Sequence, residues 1–242
     1  MPPLLTVTGR DVLFAHWPLD PAAVEPLVPD PLSVAAYDGR ARVSALALEN
    51  VAVAPGALSV PRGLRRGFAQ LNLRTYVEHG DESGVYFLSL DSGSRLGAAV
   101  GQRAFGLPFR PAQARIRRAG DTVRFTSRRR TDAGDAAVFA ARYRPDGEAY
   151  AAEPDSIEAF CIERVRYLFP AREATAALPG DGSDGVVVGR IERDPWELRP
   201  VDATVRTNTL LAAAGLPEPD AAPELRYSPG FRMGVLPPET RD

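Results

Sequence analysis

Glycine-punctuated strand segments constrain this chain more than any other feature. Residues 111–118, 121–130 and 136–144 are separated by Ala119-Gly120-Asp121 and Asp132-Ala133-Gly134-Asp135, and Pro145-Asp146-Gly147 follows. Turn signals recurring at about ten-residue spacing predict consecutive antiparallel strands. Upstream, Leu71, Leu73, Thr75 and Val77 alternate with Asn72, Arg74, Tyr76 and Glu78. That period of two describes a strand with one apolar and one strongly polar face. His79–Gly84 turns the chain into a partner strand, Val85–Leu90. Residues 10–17 and 41–54 read as further strands, the second buried on both faces up to Glu49 and entered through the Tyr37-Asp38-Gly39-Arg40 turn. Strands are also expected at 165–169, 186–192 and 231–236, and loops at 55–67 and 180–185.

The helices are expected to be short. Asp20 and Pro21 are a cap and a first-turn residue for a helix ending before Pro29 and Pro31. Residues 94–105 form a second, ended by Gly106-Leu107-Pro108. Asp155 or Ser156 caps a third over 157–163, and residues 203–214 read as a fourth, ended by Gly215 and Pro217. Roughly eight to ten strands with a few short helices predict an α+β, mainly β fold in one domain over residues 1–242. A closed or nearly closed barrel disposes of the sheet edges best.

Composition then narrows the chemistry. All 29 Lys+Arg residues are arginine. A Schiff base needs a primary amine that can lose its proton, and a guanidinium stays charged, so imine chemistry on a lysine is excluded. The net charge of −2 argues against a nucleic-acid partner. Arg115, Arg117, Arg118, Arg124 and Arg128–Arg130 read as a solvated face of two strands. With one cysteine, Cys161, no intrachain disulfide forms. The two histidines, His16 and His79, leave no Cys/His metal spacing, and no metal or cofactor is expected. Neither a signal peptide nor a membrane-length apolar run is visible, so a cytoplasmic protein without membrane contact is expected.

Phosphate loops and nucleophile elbows are absent as motifs. His79 reads as a surface residue of a charged turn, His16 as a buried, satisfied residue and Trp196 as core. The face Asn72, Arg74, Tyr76, Glu78 has two readings: the lining of a lumen able to hold a carboxylate or carbonyl, or the outside of the sheet. Glu163-Arg164, at the end of the third helix, offers an acid and a fork donor.

A resemblance runs through His16-Trp17-Pro18-Leu19-Asp20-Pro21, Tyr37–Ala41, Leu71–Val77 and Gly84–Asp91. It continues in Phe105–Phe109, Phe160–Arg164, Asp194-Pro195-Trp196-Glu197-Leu198 and Tyr227–Gly230. In order and spacing these resemble the YqjF-like family, over nearly the whole chain. The resemblance implies an acetoacetate-decarboxylase-like fold, a closed β-barrel-like sheet with small flanking helices. Acetoacetate decarboxylase itself is similar only remotely. Its adjacent lysines, the first of which forms the imine, follow a Gly-x-Pro, and the corresponding stretch here is Gly106-Leu107-Pro108-Phe109-Arg110. Phe109 stands at the nucleophile's place and Arg110 at its neighbour's.

These residues lead to a small-molecule-binding barrel for a carboxylate or carbonyl compound. Asn72, Arg74, Tyr76, Phe109, Arg110 and Glu163 are its candidate pocket residues, and no catalytic set is assigned. The first alternative is an enzyme without imine chemistry, with Glu163 or Glu78 as general base and Arg74 stabilising an oxyanion. The second is an assembly or interaction protein built on the 55–67 loop or the arginine-rich strands; a homo-oligomer is compatible with any of these readings.

Overall fold

The computed structural model describes residues 2–56, 67–130, 136–174 and 185–241. The chain opens with strand β1 (Leu5–Leu19), helix α1 (Pro21–Val24) and a 3-10 turn (Glu25–Leu27). Asp20 caps α1 by accepting from the Ala22 amide, and Pro21 occupies the first turn. Two short strands, β2 (Ser33–Val34) and β3 (Ala36–Tyr37), lead to the long β4 (Arg40–Pro55) and β5 (Phe68–His79). Then come β6 (Glu82–Ser92), α2 (Arg95–Phe105), β7 (Phe109–Pro111), β8 (Arg115–Ala119), β9 (Thr122–Arg130) and β10 (Ala136–Pro145). Helix α3 (Ile157–Ile162), β11 (Arg166–Pro170), β12 (Val186–Glu192), β13 (Val201–Asn208), α4 (Leu210–Ala213), β14 (Glu224–Val235) and β15 (Glu239–Arg241) follow. The expected turn 132–135 and most of the loops 55–67 and 180–185 lie outside the described residues.

Seven strands run in the order β5-β4-β1-β14-β12-β11-β6, and pairing of β6 with β5 closes the ring. All these pairings are antiparallel except β11 with β6. The glycine-punctuated meander contributes no strand to this ring. Strands β8, β9 and β10 form a second sheet with β13, in the order β13-β10-β9-β8.

Alternation explains both layers. Leu13, Ala15 and Trp17 of β1, Val43, Ala45 and Ala47 of β4, and Leu71 and Leu73 of β5 face outward. They pack against Val123, Phe125, Phe139 and Tyr143 of the second sheet. The intervening residues Val12, Phe14, Leu46, Leu48 and Tyr76 face into the ring with Tyr167, Trp196 and Leu198. Over residues 45–48 strand β4 is therefore apolar on both faces because both are covered.

The stretch read as a helix over 203–214 is β13 followed by the four-residue α4. Val201, Ala203 and Val205 alternate with Asp202, Thr204 and Arg206, and β10 supplies the missing edge. Tertiary pairing overrode the helix-compatible alanines downstream.

The arginine-rich face is exposed at Arg115, Arg117, Arg124, Arg128 and Arg130. Two arginines turn inward to buried acids of the ring strands, Arg118 to Asp11 and Arg129 to Asp91 at 2.7 Å. These pairs tie the outer sheet to the ring.

Candidate functional site

A cavity of about 280 Å³ lies inside the ring, covered by α2 and by the chain around Leu107 and Phe109. Its walls are mainly apolar, including Leu46 and Leu48 of β4, Phe87 of β6, Tyr167 of β11, Trp196 and Phe231. Three of its aromatic rings stand over glycines. A Cβ on Gly9 would lie 2.4 Å from the Phe231 ring, on Gly101 2.5 Å from Phe109, and on Gly189 1.9 Å from Tyr167. Gly9 opposes Phe231 and Gly189 opposes Tyr167 across the ladder, so each ring lies flat over bare backbone. A glycine inside a strand marks such an approach.

The polar face of β5 points into the ring. Asn72 and Arg74 line the cavity. An amide ladder runs along it, with Asn50 Nδ2 donating to Gln70 Oε1 at 2.6 Å and Gln70 Nε2 to Asn72 Oδ1 at 2.7 Å. Tyr76 is fully buried just below, its hydroxyl donating to the Cys161 carbonyl at 2.8 Å. Phe109 enters the cavity from β7.

Tyr76 is not on the cavity wall, and two further expected pocket residues lie elsewhere. Arg110 is exposed and sits opposite Asp91 in register. Successive strand residues face opposite sides, so Phe109 pointing in places Arg110 out. Glu163 ends α3, and its carboxylate accepts from Arg193 Nη1 at 2.8 Å and from the Trp196 amide at 2.9 Å. It holds the Trp196 segment and does not face the cavity. Glu78, the other expected base, is exposed at the end of β5.

Helix α3 organises the arginines around the cavity. The last carbonyls of a helix lack intrahelical partners, and three guanidiniums supply them. Arg164 Nε donates to Phe160 O at 2.9 Å, Arg74 Nη2 to Cys161 O at 2.6 Å and Arg193 Nη2 to Ile162 O at 2.9 Å. Arg193, with Glu163, and Arg166, with Glu82, are ion-paired. Arg74 has no carboxylate within ion-pairing distance among the described residues, is only 8% exposed, and its Nε has no protein partner.

Strand β1 adds a residue that sequence reasoning took for a satisfied core histidine. His16 Nδ1 meets Ser44 Oγ at 2.6 Å, and Ser44 Oγ meets Tyr76 Oη at 2.7 Å, yet His16 Nε2 has no partner among the described residues. Burial, with Arg74, Arg226 and Arg42 nearby, holds the His16 pKa well below 6.5. Arg42 and Ser44 left a signal in the sequence: with Arg40 they are polar at every second position leading into the apolar run 45–48. Burial also pushes the Cys161 thiol up to about 12, so it is not a thiolate nucleophile near neutral pH.

The unfolded chain protonates the His16 imidazole near pH 6.5, whereas the folded protein does so only well below that. The unfolded state therefore binds more protons as pH falls, and stability drops from about pH 6.5 downward. The slope approaches about 1.4 kcal/mol per pH unit for this one group. Urea unfolding at several pH values between about 7 and 5 should show a shallower slope for His16→Phe than for wild type. Equal slopes would contradict the neutral buried imidazole.

Comparison with known proteins places this architecture. A family model described as "Uncharacterized conserved protein", DUF2071, matches residues 6–232. The chain belongs to the DUF2071 family. A relative, "Uncharacterized protein YqjF" of Bacillus subtilis (strain 168), is 33% identical over 225 residues, covering 93% of this chain and 87% of that one. Among solved structures, the enduracididine biosynthesis enzyme MppR complexed with pyruvate is similar with TM-score 0.63 and 14% identity, over 100% of this chain and 90% of that one. An acetoacetate decarboxylase-like enzyme from Sphingomonas wittichii RW1 gives TM-score 0.62 and 16% identity, over 98% and 93%. Acetoacetate decarboxylase from Legionella pneumophila subsp. pneumophila str. Philadelphia 1 gives 0.61 and 11%, over 99% and 87%. At these identities the structural likeness establishes the shared acetoacetate-decarboxylase-like fold.

Proposed function

We propose that this protein binds a small organic acid in the ring cavity, with the carboxylate at Arg74 and the apolar body against Leu46, Phe87, Tyr167 and Trp196. The observation that carries this reading is Arg74. A guanidinium stays charged when buried, and a buried charge without a counter-charge costs several kcal/mol. Arg74 lines the cavity, lacks an ion-pair partner among the described residues, and keeps a donor free at Nε. An anionic ligand supplies what the protein does not. The structural neighbour solved with pyruvate agrees with small acids as ligands of this fold. With no lysine anywhere in the chain, the acid is held by hydrogen bonds and not as an imine.

The test is calorimetric titration of carboxylic acids against their primary amides, with wild type and Arg74→Gln. A charge-assisted hydrogen bond lost from a buried site should weaken carboxylate binding by roughly ten- to a hundred-fold and leave amide binding nearly unchanged. Carboxylates binding Arg74→Gln as tightly as wild type would overturn the assignment.

A further inference from the structure

Next to the cavity the ring carries a polar row on its inward face, of which Arg74 is on the cavity wall and His16 and Ser44 lie behind it. His16 of β1, Ser44 of β4 and Arg74 of β5 stand directly opposite one another in register. Arg74 lines the cavity, as does Leu46, the next inward residue after Ser44. Phe14, the inward neighbour of His16 on β1, packs edge-on against the cavity residue Trp196 at 5.0 Å.

The hydrogens of this row are determined by its far end. A carbonyl only accepts, so the single Tyr76 hydroxyl proton goes to Cys161 O. The Ser44 hydroxyl must then donate to Tyr76 Oη. The His16 Nδ1 must in turn carry a hydrogen and donate to Ser44 Oγ. A neutral imidazole protonated at Nδ1 presents a bare lone pair at Nε2.

That lone pair belongs to a residue only 2% exposed, and it has no partner among the described residues. Near it are cationic donors in the same condition: Arg74 Nε, and Nε and Nη1 of Arg42, a residue 7% exposed. Neither arginine has a carboxylate within ion-pairing distance among the described residues. Of the other charges around the imidazole, Arg226 is paired with Glu158 at 2.6 Å, and Glu224 stands opposite His16 on β14.

An unmet acceptor beside unmet cationic donors complements a molecule with both an anionic oxygen and a neutral hydrogen donor. We infer that the cavity takes a hydroxy acid, its carboxylate on the arginine donors and its hydroxyl donating to His16 Nε2. This inference rests on the carboxylate reading of Arg74 and adds the second functional group. A simple carboxylate leaves Nε2 unmet. An amino acid brings an ammonium group into a cluster of arginines, and a keto acid has no hydrogen to give.

The experiment pairs acids that differ only in the hydroxyl: 3-phenyllactate with 3-phenylpropionate, and 2-hydroxyhexanoate with hexanoate. Affinities are measured by calorimetry. The ring nitrogens of ¹⁵N-histidine-labelled wild type are followed by NMR, in which the two histidines give a simple spectrum. The hydroxy acid is expected to bind about ten-fold or more tightly than its partner. The Nε2 resonance should start as a bare nitrogen and move only with the hydroxy acid. In His16→Phe the hydroxyl advantage should vanish while the simple acid keeps its affinity within about two-fold. The wild-type measurements decide if that variant does not fold. Equal affinities within each pair with an unmoved Nε2 resonance would overturn the inference and leave the Arg74 reading intact. A hydrogen found on Nε2 in the free protein would overturn the tautomer and the inference with it. No binding of either member of any pair would sink both readings.

Discussion

Replacing Asp11 by alanine is expected to lower the thermal unfolding midpoint by roughly 4–16 °C, on the scale of 2–4 °C per kcal/mol for a chain of this size. Asp11 is 1% exposed and joins the two layers. Its carboxylate accepts from the Tyr227 hydroxyl at 2.9 Å and from Arg118 of the outer sheet. Its backbone carbonyl accepts from Tyr143 of β10 at 2.6 Å. Alanine leaves the Tyr227 hydroxyl buried without its acceptor, which costs about 1–3 kcal/mol. It must also adopt the φ of +54° that aspartate holds here, at a further cost of roughly 1 kcal/mol. Two controls locate the effect. Asp11→Asn keeps an acceptor oxygen and tolerates the left-handed backbone, so its loss should be less than half as large. Arg118→Ala strips the ion pair from a carboxylate only 1% exposed and leaves Arg10 Nε at 3.9 Å as its remaining cation, so its loss should be comparable to that of Asp11→Ala. Differential scanning calorimetry of the three variants checks this, and an Asp11→Asn loss equal to that of Asp11→Ala would refute the role of the buried acceptor oxygen.

Gly189→Ala is expected to damage both stability and the cavity. The new methyl would lie 1.9 Å from Tyr167 Cζ and within 2.4 Å of both adjacent ring carbons. The ring has little room to yield. Tyr167 is 7% exposed, stacks on Phe169 at 6° between planes, and lies 6.1 Å from Phe87. Overpacking of this kind costs typically about 1–3 kcal/mol. Because Tyr167 is a cavity wall, carboxylate affinity should fall together with the melting temperature. A double-mutant cycle separates this contact from a general intolerance of alanine at position 189. In a Tyr167→Val background most of the penalty should disappear, giving a coupling of about 2 kcal/mol. Additive losses would show that the ring is not what excludes a side chain.

Several elements were legible because local chemistry and tertiary structure agree. Asp20-Pro21 caps a short helix, Gly106 ends α2 with φ of +63°, and Asp38-Gly39 turns into β4. The stretch 45–48 of β4, apolar on both faces, was readable too, since backbone covered on both sides there shows no polar side. Residues 203–208 were misread because alanine-rich sequence downstream favours a helix locally, while the free edge of β10 rewards a strand. The partnership of β10 with β13 brings together segments about sixty residues apart, which no local pattern encodes.

The candidate site divides along the same line. That Asn72, Arg74 and Tyr76 share one face follows from alternation alone, as does the opposite placement of Phe109 and Arg110 once one of them points inward. The absence of lysine excludes an imine whatever the fold. Which face is the inside was decided only by ring closure between β5 and β6. Closure also places Gly189 beneath Tyr167 and Gly9 beneath Phe231, and it aligns His16, Ser44 and Arg74 in one row drawn from three strands. The sequence by itself determined most of the strands, their alternating faces and the excluded chemistry, because these depend on neighbours one to four residues away. The tertiary structure decided which polar face meets water and which arginine lacks a counter-charge, because both depend on burial shared among strands distant in the chain.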